Sequence, residues 1–319
     1  MKMIAQERAL EEDVDQDVDA EDADETAARS GSSELVENGA HADGEPGWGA
    51  GAALVQAGRL DAHALRKIVE AHERTGVSFV EIAARLGLVE RNDLQVALAI
   101  ERGLLRADAM GAPIPPALIG VHRPNSALTE HFRAVRTNLV TMRNADKLGL
   151  TAIASLERRR EADFFALNLA AAFAELGKTV LLVDADLRAQ RLERLFGLDG
   201  GATLRDVLRG AAPPLAAVRE TVVANLDVVP AGRPGADAQE ALSRPALREV
   251  LNAYAARYDH VMALSSPFEG VADGRFVWAA CGQAIIAVRQ HEDRVDQLRR
   301  LHKALRQVGA EATAAVLVR

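Results

Sequence analysis

The sequence predicts an α/β fold in which helices cover both faces of a parallel sheet, preceded by a small all-helical repeat domain and an acidic tail. Apolar runs rich in β-branched residues alternate with amphipathic stretches along the second half of the 319-residue chain. Strands that are apolar throughout are typical of parallel sheets buried on both sides. The six predicted strands are residues 152–155, 179–184, 226–230, 260–265, 284–288 and 312–318.

A strongly uneven charge distribution indicates the tail. Residues 1–50 contain 15 Asp and Glu against 3 Lys and Arg, a net charge of −12, so the rest of the chain carries +4 of the overall −8. With few large apolar residues, residues 1–51 cannot bury enough surface to offset the entropy of ordering. We predict a disordered acidic tail that solubilises the protein or, alternatively, docks on a basic partner.

Cysteine usage and hydropathy indicate the compartment. Cys281 is the single cysteine, which excludes an intrachain disulfide and suits a reducing environment. No signal peptide and no uninterrupted apolar run of 18 residues is visible. We expect a cytoplasmic protein whose association with the inner membrane, if any, is made through a partner.

A helical pattern occurs twice within residues 52–105, at an offset of 29 residues. In each copy a helix ends at a glycine, Gly58 or Gly87, which favours the left-handed cap. Asp61 and Asn92 then follow at positions suited to cap the next helices. The repeats resemble the N-terminal domain of type II secretion ATPases, some members of which bind cyclic di-GMP through Arg and Gln. The matching positions here hold Gly49, His72, Ser78 and Glu101, so docking or packing is favoured over ligand binding.

Residues 106–125 contain four prolines and predict a linker that cannot continue a helix. The second domain then spans residues 126–319. Its first strand is followed by a predicted helix over residues 164–176, in which Phe165, Leu169, Phe173 and Leu176 form one apolar stripe.

A strand followed by a helix is the setting of a phosphate-binding loop, yet the intervening residues lack its chemistry. Such a loop, G-x-x-x-x-G-K-[ST], needs glycines, a Lys for the phosphates and a hydroxyl for Mg²⁺. No glycine occurs between residues 150 and 176; Ala162 takes the Lys position and Asp163 the hydroxyl position. The loop residues are thus degenerate, including Glu157, Arg159 and Glu161. An alternative is that Arg158, Arg159 and Arg160 attract an anion in a different geometry.

The stretch after this loop carries a specific resemblance. Gly177-Lys-Thr-Val-Leu-Leu-Val-Asp184-Ala-Asp186-Leu-Arg188 is similar to the second nucleotide motif of the bacterial tyrosine kinases of polysaccharide export. The similarity continues in the family's order through residues 203–210, 226–232, 240–251 and 258–259. Members fused to a secretion-type repeat domain resemble the chain over roughly residues 52–319.

The resemblance implies a phosphate-loop NTPase fold of the SIMIBI type and exopolysaccharide chain-length control. It also implies that Asp184 and Asp186 descend from carboxylates that hold magnesium and act in phosphoryl transfer. The third nucleotide motif is lost, because Leu264 stands at its acidic position. The family's C-terminal tyrosine cluster is also missing, since the chain has only Tyr254 and Tyr258.

One family element is intact: Glu130-His-Phe-Arg133-Ala-Val-Arg136 matches the E-x-x-R-x-x-R helix that relatives use for subunit contacts. Its charges, spaced by three, share a helix face, so an ordinary intrahelical ion pair is the competing interpretation. We expect Glu130, Arg133 and Arg136 to form an oligomer contact.

Three functions follow from these observations. We favour a pseudokinase that needs neither ATP nor Mg²⁺ and regulates polymerisation by binding a membrane polysaccharide co-polymerase or an active tyrosine kinase, in a homo- or hetero-oligomer and without nucleic acid. The alternative is an atypical ATP-dependent tyrosine kinase that uses Mg²⁺ on Asp184 and Asp186. A remote alternative is a ParA/MinD-like positioning ATPase, which would need its own loop lysines.

Overall fold

The computed structural model describes residues 48–142, 149–157 and 160–318, which belong to one compact unit, residues 43–319. The predicted tail, residues 1–51, lies outside the described residues except for its last four. Those four begin the first helix.

The helical repeat comprises four helices: α1 Trp48–Gln56, α2 Ala62–Thr75, α3 Phe79–Arg85 and α4 Arg91–Glu101. Gly58 and Gly87 have φ of +66° and +63°, the left-handed conformation that the sequence predicts. Asp61 caps α2 by accepting a hydrogen bond from the amide of Ala64 at 2.6 Å. The expectation for Asn92 is wrong, because α4 begins one residue earlier and Asn92 lies inside its first turn.

The predicted linker, residues 106–125, contains a 3-10 turn, Ala107–Ala109, and a short helix, α5 Ile119–His122. Backbone hydrogen bonds tie its start to the second half of the chain: Arg106 donates its amide to Val222 at 3.0 Å. Leu118 and Val121 are buried in the hydrophobic cluster that also holds the inner faces of the repeat helices. The domain boundaries themselves stay a prediction.

The α/β part follows the predicted alternation closely. Its elements are α6 Ala127–Thr141, β1 Leu150–Ser155, α7 Arg160–Ala174, β2 Val180–Asp184, α8 Arg191–Phe196, α9 Leu204–Leu208, a 3-10 turn Pro214–Ala217, β3 Arg219–Glu220, β4 Leu226–Val229, α10 Ala238–Ser243, α11 Ala246–Ala255, β5 His260–Leu264, α12 Gly274–Cys281, β6 Gln283–Arg289, α13 Val295–Gln307 and β7 Glu311–Val318.

The seven strands form one sheet in the order β3-β4-β2-β5-β1-β6-β7. All neighbours are parallel except β3, a two-residue edge strand that the sequence reasoning missed and that pairs antiparallel with β4. Alternate residues of the strands face two separate apolar clusters, so helices cover both faces as predicted. The central strands β2, β5 and β1 end at one edge, where Asp184 lies beside Leu264 in register. In such sheets, sites form at the carboxyl ends of the strands.

Candidate functional site

The turn between β1 and α7 is held by backbone contacts from its neighbours. Phe268 and Glu269 donate their amides to the carbonyls of Ser155 and Leu156, both at 2.9 Å. Leu156 is buried, and Glu157 forms an ion pair with Arg289 at 3.4 Å. Arg158, Arg159 and the side chain of Arg160 lie outside what the structure describes, so their predicted role in anion binding stays untested. The described part of the turn is thus held by hydrogen bonds and an ion pair within the protein.

The first turn of α7 carries the residues at the lysine and hydroxyl positions. Ala162 is buried. The Oδ1 atom of Asp163 lies 3.2 Å from Nη1 of Arg191, an ion pair rather than a well-aligned hydrogen bond. Burial raises the pKa of Asp163, although Arg191 and Arg194 act in the opposite direction. Glu161 has a buried Oε2 without a hydrogen-bond donor. The described side chains of this turn therefore offer a phosphate no positive charge.

Asp184 and Asp186 lie at the carboxyl end of β2, as predicted, and both are fully buried. The two carboxylate oxygens of Asp184 accept backbone hydrogen bonds, Oδ2 from Arg191 at 2.8 Å and Oδ1 from Asp186 at 3.2 Å. Burial, only partly offset by Arg191, raises the pKa of Asp184 to about 7. Asp184 thus orients the backbone at the start of α8.

Asp186 is surrounded by donors from the protein. Its Oδ1 accepts hydrogen bonds from the Ser266 hydroxyl at 2.8 Å and the Arg188 amide at 3.2 Å, while its Oδ2 accepts one from Nη2 of Arg191 at 2.8 Å. Arg188 itself turns away, donating Nε to the buried carboxylate of Asp273 at 2.5 Å.

Arg191 is the centre of the site. Its side chain is only 4% exposed, and its guanidinium contacts α7 through Asp163, the end of β2 through Asp186 and the end of β5 through the Ser265 carbonyl at 3.1 Å. Burial lowers the pKa of Arg191, but the carboxylates of Asp184, Asp163 and Asp186 more than compensate, so the group is firmly charged. Arg191 was not predicted as a site residue, because nothing in the sequence distinguishes it from the other charged residues of this short amphipathic helix.

At the end of β5, Leu264 occupies the position at which the third nucleotide motif has an acidic residue. Leu264 is buried in the core. The next residue, Ser265, makes contacts within the core: its hydroxyl donates to the carbonyl of Ile153 at 3.0 Å and accepts from the indole N–H of Trp278 at 2.9 Å.

These residues do not fit a magnesium nucleotide as they stand. Mg²⁺ requires free oxygen ligands in octahedral geometry, whereas those of Asp184 and Asp186 are engaged by amides, a hydroxyl and a guanidinium. In the described part of the chain, no group of three His, Cys, Asp or Glu side chains is arranged to hold a metal ion.

The arginines of the E-x-x-R-x-x-R helix face inward. Arg133 donates two hydrogen bonds to Glu175, at 3.1 and 3.0 Å, and a third to Glu130 at 2.5 Å. Arg136 donates to the carbonyl of Ala172 at 2.9 Å and lies 3.6 Å from Glu175. These contacts pin α6 to α7 and leave Glu130, 62% exposed, at the surface. They leave the predicted oligomer contact untested.

The repeat positions that matched ligand-binding residues have local structural roles. Nδ1 of His72 lies 2.7 Å from the carbonyl of Val77, and Ser78 caps α3. Burial raises the pKa of Glu101. These contacts agree with packing, the favoured interpretation.

The two tyrosines are both engaged. The hydroxyl of Tyr254, which is fully buried, donates to the carbonyl of Pro214 at 2.8 Å, and that of Tyr258 donates to Asp227 at 2.7 Å. Burial raises the pKa of both phenols.

Comparison of sequences identifies tyrosine kinases. No protein-family profile matches the chain. The tyrosine-protein kinase ptk of Acinetobacter johnsonii is 26% identical over 200 residues, 63% of this chain, and the putative tyrosine-protein kinase EpsB of Ralstonia nicotianae is 29% identical over 60% of it. The aligned regions cover only 27% and 26% of those two proteins. The shorter tyrosine-protein kinase YwqD of Bacillus subtilis is 26% identical, over 65% of this chain and 87% of its own length.

Solved structures share the fold. The chimerical protein CapA2B2 superimposes with a TM-score of 0.57 at 22% identity, covering 65% of this chain and 94% of its own. The kinase domain of the Escherichia coli tyrosine kinase ETK gives 0.57 at 24% identity over 63% and 78% of the two chains. The BceF tyrosine kinase domain gives 0.55 at 25% identity over 70% and 88%.

Within the described residues, no helix is both long and apolar enough to cross a membrane. By its ordered series of motifs and its sequence matches, the chain is similar to the bacterial tyrosine kinases, and it shares the fold of their solved domains.

Proposed function

We propose that this protein is a pseudokinase of exopolysaccharide synthesis, which binds no nucleotide and regulates polymerisation through protein contacts. The observation that carries the proposal is the pair of residues at the head of α7: Ala162 and Asp163 stand where a phosphate loop needs a lysine and a hydroxyl.

The energetic loss is large. A hydrogen bond to a charged group contributes roughly 1.5 to 3 kcal/mol, so losing the lysine, the hydroxyl, the acid at Leu264 and the loop amides forfeits on the order of 6 to 12 kcal/mol. Since about 1.4 kcal/mol is a tenfold change, a micromolar affinity would fall below detection.

Electrostatics adds to this loss. Two unit charges 4 Å apart interact by about 4 kcal/mol at an effective dielectric constant of 20. A magnesium ion beside the Arg191 guanidinium would therefore meet a repulsion roughly twice as large. The carboxylate of Asp163, in turn, would repel the phosphates. Self-phosphorylation of Tyr254 would need its fully buried side chain to leave the core, and that of Tyr258 would break its hydrogen bond to Asp227.

The proposed partners are a membrane polysaccharide co-polymerase or an active tyrosine kinase, in a homo- or hetero-oligomer. Relatives named as tyrosine kinases support the pathway, and Glu130 on α6 supports a charged contact surface. The repeat helices at residues 52–105 offer a second docking element.

Purified full-length protein tests the proposal. With ATP and MgCl₂ we expect no thermal shift, no saturable binding in calorimetry and no phosphotyrosine on itself or on an added kinase tail. Saturable micromolar binding would overturn the proposal. Phosphorylation that is lost in Asp184→Asn would establish the alternative, an atypical ATP-dependent kinase.

The partner contact is tested with Glu130→Arg. We expect this variant to keep the fold, because Glu130 is exposed and Arg133 retains Glu175. Its binding to the co-polymerase or the kinase should weaken relative to wild type, with Glu240→Arg on α10, outside the repeat and 75% exposed, as the matched surface control. Equal binding by all three proteins would exclude α6 as the contact.

A further inference from the structure

We infer that the guanidinium of Arg191 is a built-in cation, which takes over the bridging role that magnesium has in active phosphate-loop proteins. This inference deepens the proposed function and rests on it.

The geometry of the bridge supports the inference. In phosphate-loop NTPases, Mg²⁺ is held by the hydroxyl at the last loop position and by an acidic residue at a strand end. The corresponding residues here are Asp163 on α7 and Asp186 after β2. Arg191 contacts them with different nitrogens, Nη1 at 3.2 Å and Nη2 at 2.8 Å, and Nη2 also reaches the carbonyl of Ser265 after β5. One side chain thus joins three elements around the former nucleotide site.

The charges of the cluster explain why Asp163 and Arg191 require each other. A carboxylate at position 163 adds a negative charge next to the fully buried Asp186, and such a pair is costly without a cation between them. Arg191, whose side chain is 4% exposed, supplies that cation. Without Asp163 and Asp186, conversely, the buried guanidinium of Arg191 would keep only the carboxylate of Asp184 to balance its charge.

Asp184 has a positioning role in this arrangement. Its Oδ2 accepts hydrogen bonds from the amides of Arg191 at 2.8 Å and Leu192 at 3.4 Å. These bonds fix the first turn of α8 and aim the arginine side chain at the loop. Because the cation is covalently attached, α7 and the strand ends stay joined whatever the concentration of nucleotide or metal ion.

The first experiment asks whether a metal ion can replace the side chain. Melting temperatures of full-length wild type, Arg191→Ala and Arg194→Ala are measured with EDTA, with excess MgCl₂ and with NaCl of equal ionic strength. Arg194 lies exposed on the same helix and is the matched control. We expect MgCl₂ to raise the melting temperature of Arg191→Ala alone, by roughly 2 to 4 °C over NaCl. No shift in Arg191→Ala, or an equal shift in wild type, would overturn the inference.

A second experiment covers the case in which Arg191→Ala does not fold. In the triple background Asp163→Asn, Asp184→Asn and Asp186→Asn, the arginine has lost all three carboxylates that stabilise its charge. Adding Arg191→Met to that background should raise the melting temperature, because it removes an unpaired buried charge. A decrease would mean that Arg191 acts by packing and would refute the built-in cation.

The outcomes separate the two proposals. ATP binding by wild type would refute the proposed nucleotide independence. The melting temperatures of the Arg191 variants would still decide whether Arg191 acts as a built-in cation. If MgCl₂ does not raise the melting temperature of Arg191→Ala and wild type does not bind ATP, the inference fails and the pseudokinase proposal stands.

Discussion

Two clusters of arginine and carboxylate groups hold α7 in place, and they differ in burial. At its N-terminal end, Arg191 joins Asp163 to Asp186, and Arg191 and Asp186 are 4% and 0% exposed. At its C-terminal end, Glu175 receives Arg133 and Arg136 of α6, whose side chains are 23% and 13% exposed. The most exposed member of the first cluster is Asp163, at 22%, whereas that of the second is Glu130, at 62%.

The difference separates a structural cluster from one that can exchange partners. Breaking a buried ion pair leaves an uncompensated charge, which costs about 3 to 5 kcal/mol. An exposed pair contributes about 0 to 1 kcal/mol, because water replaces the lost partner. A binding partner could therefore compete for Glu130 and Arg133 at small cost, while a ligand that displaced Arg191 from its carboxylates would have to offset about 3 to 5 kcal/mol.

The largest effect should come from the buried cluster. Arg191→Ala leaves Asp186 and Asp163 without their cation, and we expect the free energy of unfolding to fall by about 3 to 5 kcal/mol. Urea denaturation of the variant against wild type measures this. Arg194→Ala, on the exposed side of α8, should change stability by less than about 0.5 kcal/mol. A loss below about 1 kcal/mol for Arg191→Ala would show that the cluster is not integral to the fold.

The pH dependence of stability probes the same cluster. The pKa of Asp184 is raised from 3.8 to about 7, so the folded state keeps a proton that the unfolded chain releases at lower pH. The resulting stabilisation is complete below the unfolded pKa and is lost as the pH rises to about 7. One pKa unit corresponds to about 1.36 kcal/mol. From about pH 5 to pH 8, Asp184 should thus lower the free energy of unfolding by roughly 3 kcal/mol.

Urea titrations of wild type and Asp184→Asn at both pH values test this contribution. Asparagine cannot ionise, so the variant should lose less stability than wild type over the interval. Parallel losses in the two proteins would contradict the assignment to Asp184.

Substitutions in the second cluster should lower the free energy of unfolding by less. Glu175→Ala removes the carboxylate that both Arg133 and Arg136 contact, and we expect a loss of about 1 to 2 kcal/mol, because these partly buried arginines keep Glu130 and the carbonyl of Ala172. Glu130→Ala, the exposed member, should cost only about 0.3 to 0.5 kcal/mol. Thermal denaturation of both variants gives the ranking. If Glu130→Ala cost more than Glu175→Ala, the cluster would be organised from its exposed side.

The sequence predicts the sheet well and the site only in part. The six long strands follow from continuous apolar runs, and the carboxylates of Asp184 and Asp186 follow from their place after such a run. The edge strand β3 has only two residues and no periodicity to detect. Asn92 was expected to cap α4, but the helix starts at Arg91.

Arg191 escaped prediction for a different reason. Its partners lie 5, 28 and 74 residues away, at Asp186, Asp163 and Ser265. Spacing within a helix does not distinguish it from Arg194, three residues later and exposed. The one available signal was the acidic residue at the hydroxyl position of the loop, since a carboxylate beside a second carboxylate requires a nearby cation.

At the turn before α7, one arginine has both a buried and an exposed partner. Arg289 contacts Asp293, 2% exposed, at 2.6 Å and Glu157, 36% exposed, at 3.4 Å. Asp293→Ala should cost about 1 to 3 kcal/mol, because the Arg289 amide and guanidinium both donate to that carboxylate. Glu157→Ala should cost less than about 0.5 kcal/mol. The denaturant midpoints of the two variants, each compared with wild type, show which substitution costs more stability. A larger loss for Glu157→Ala would mean that the turn is held by its ion pair to β6 rather than by the amides of Phe268 and Glu269.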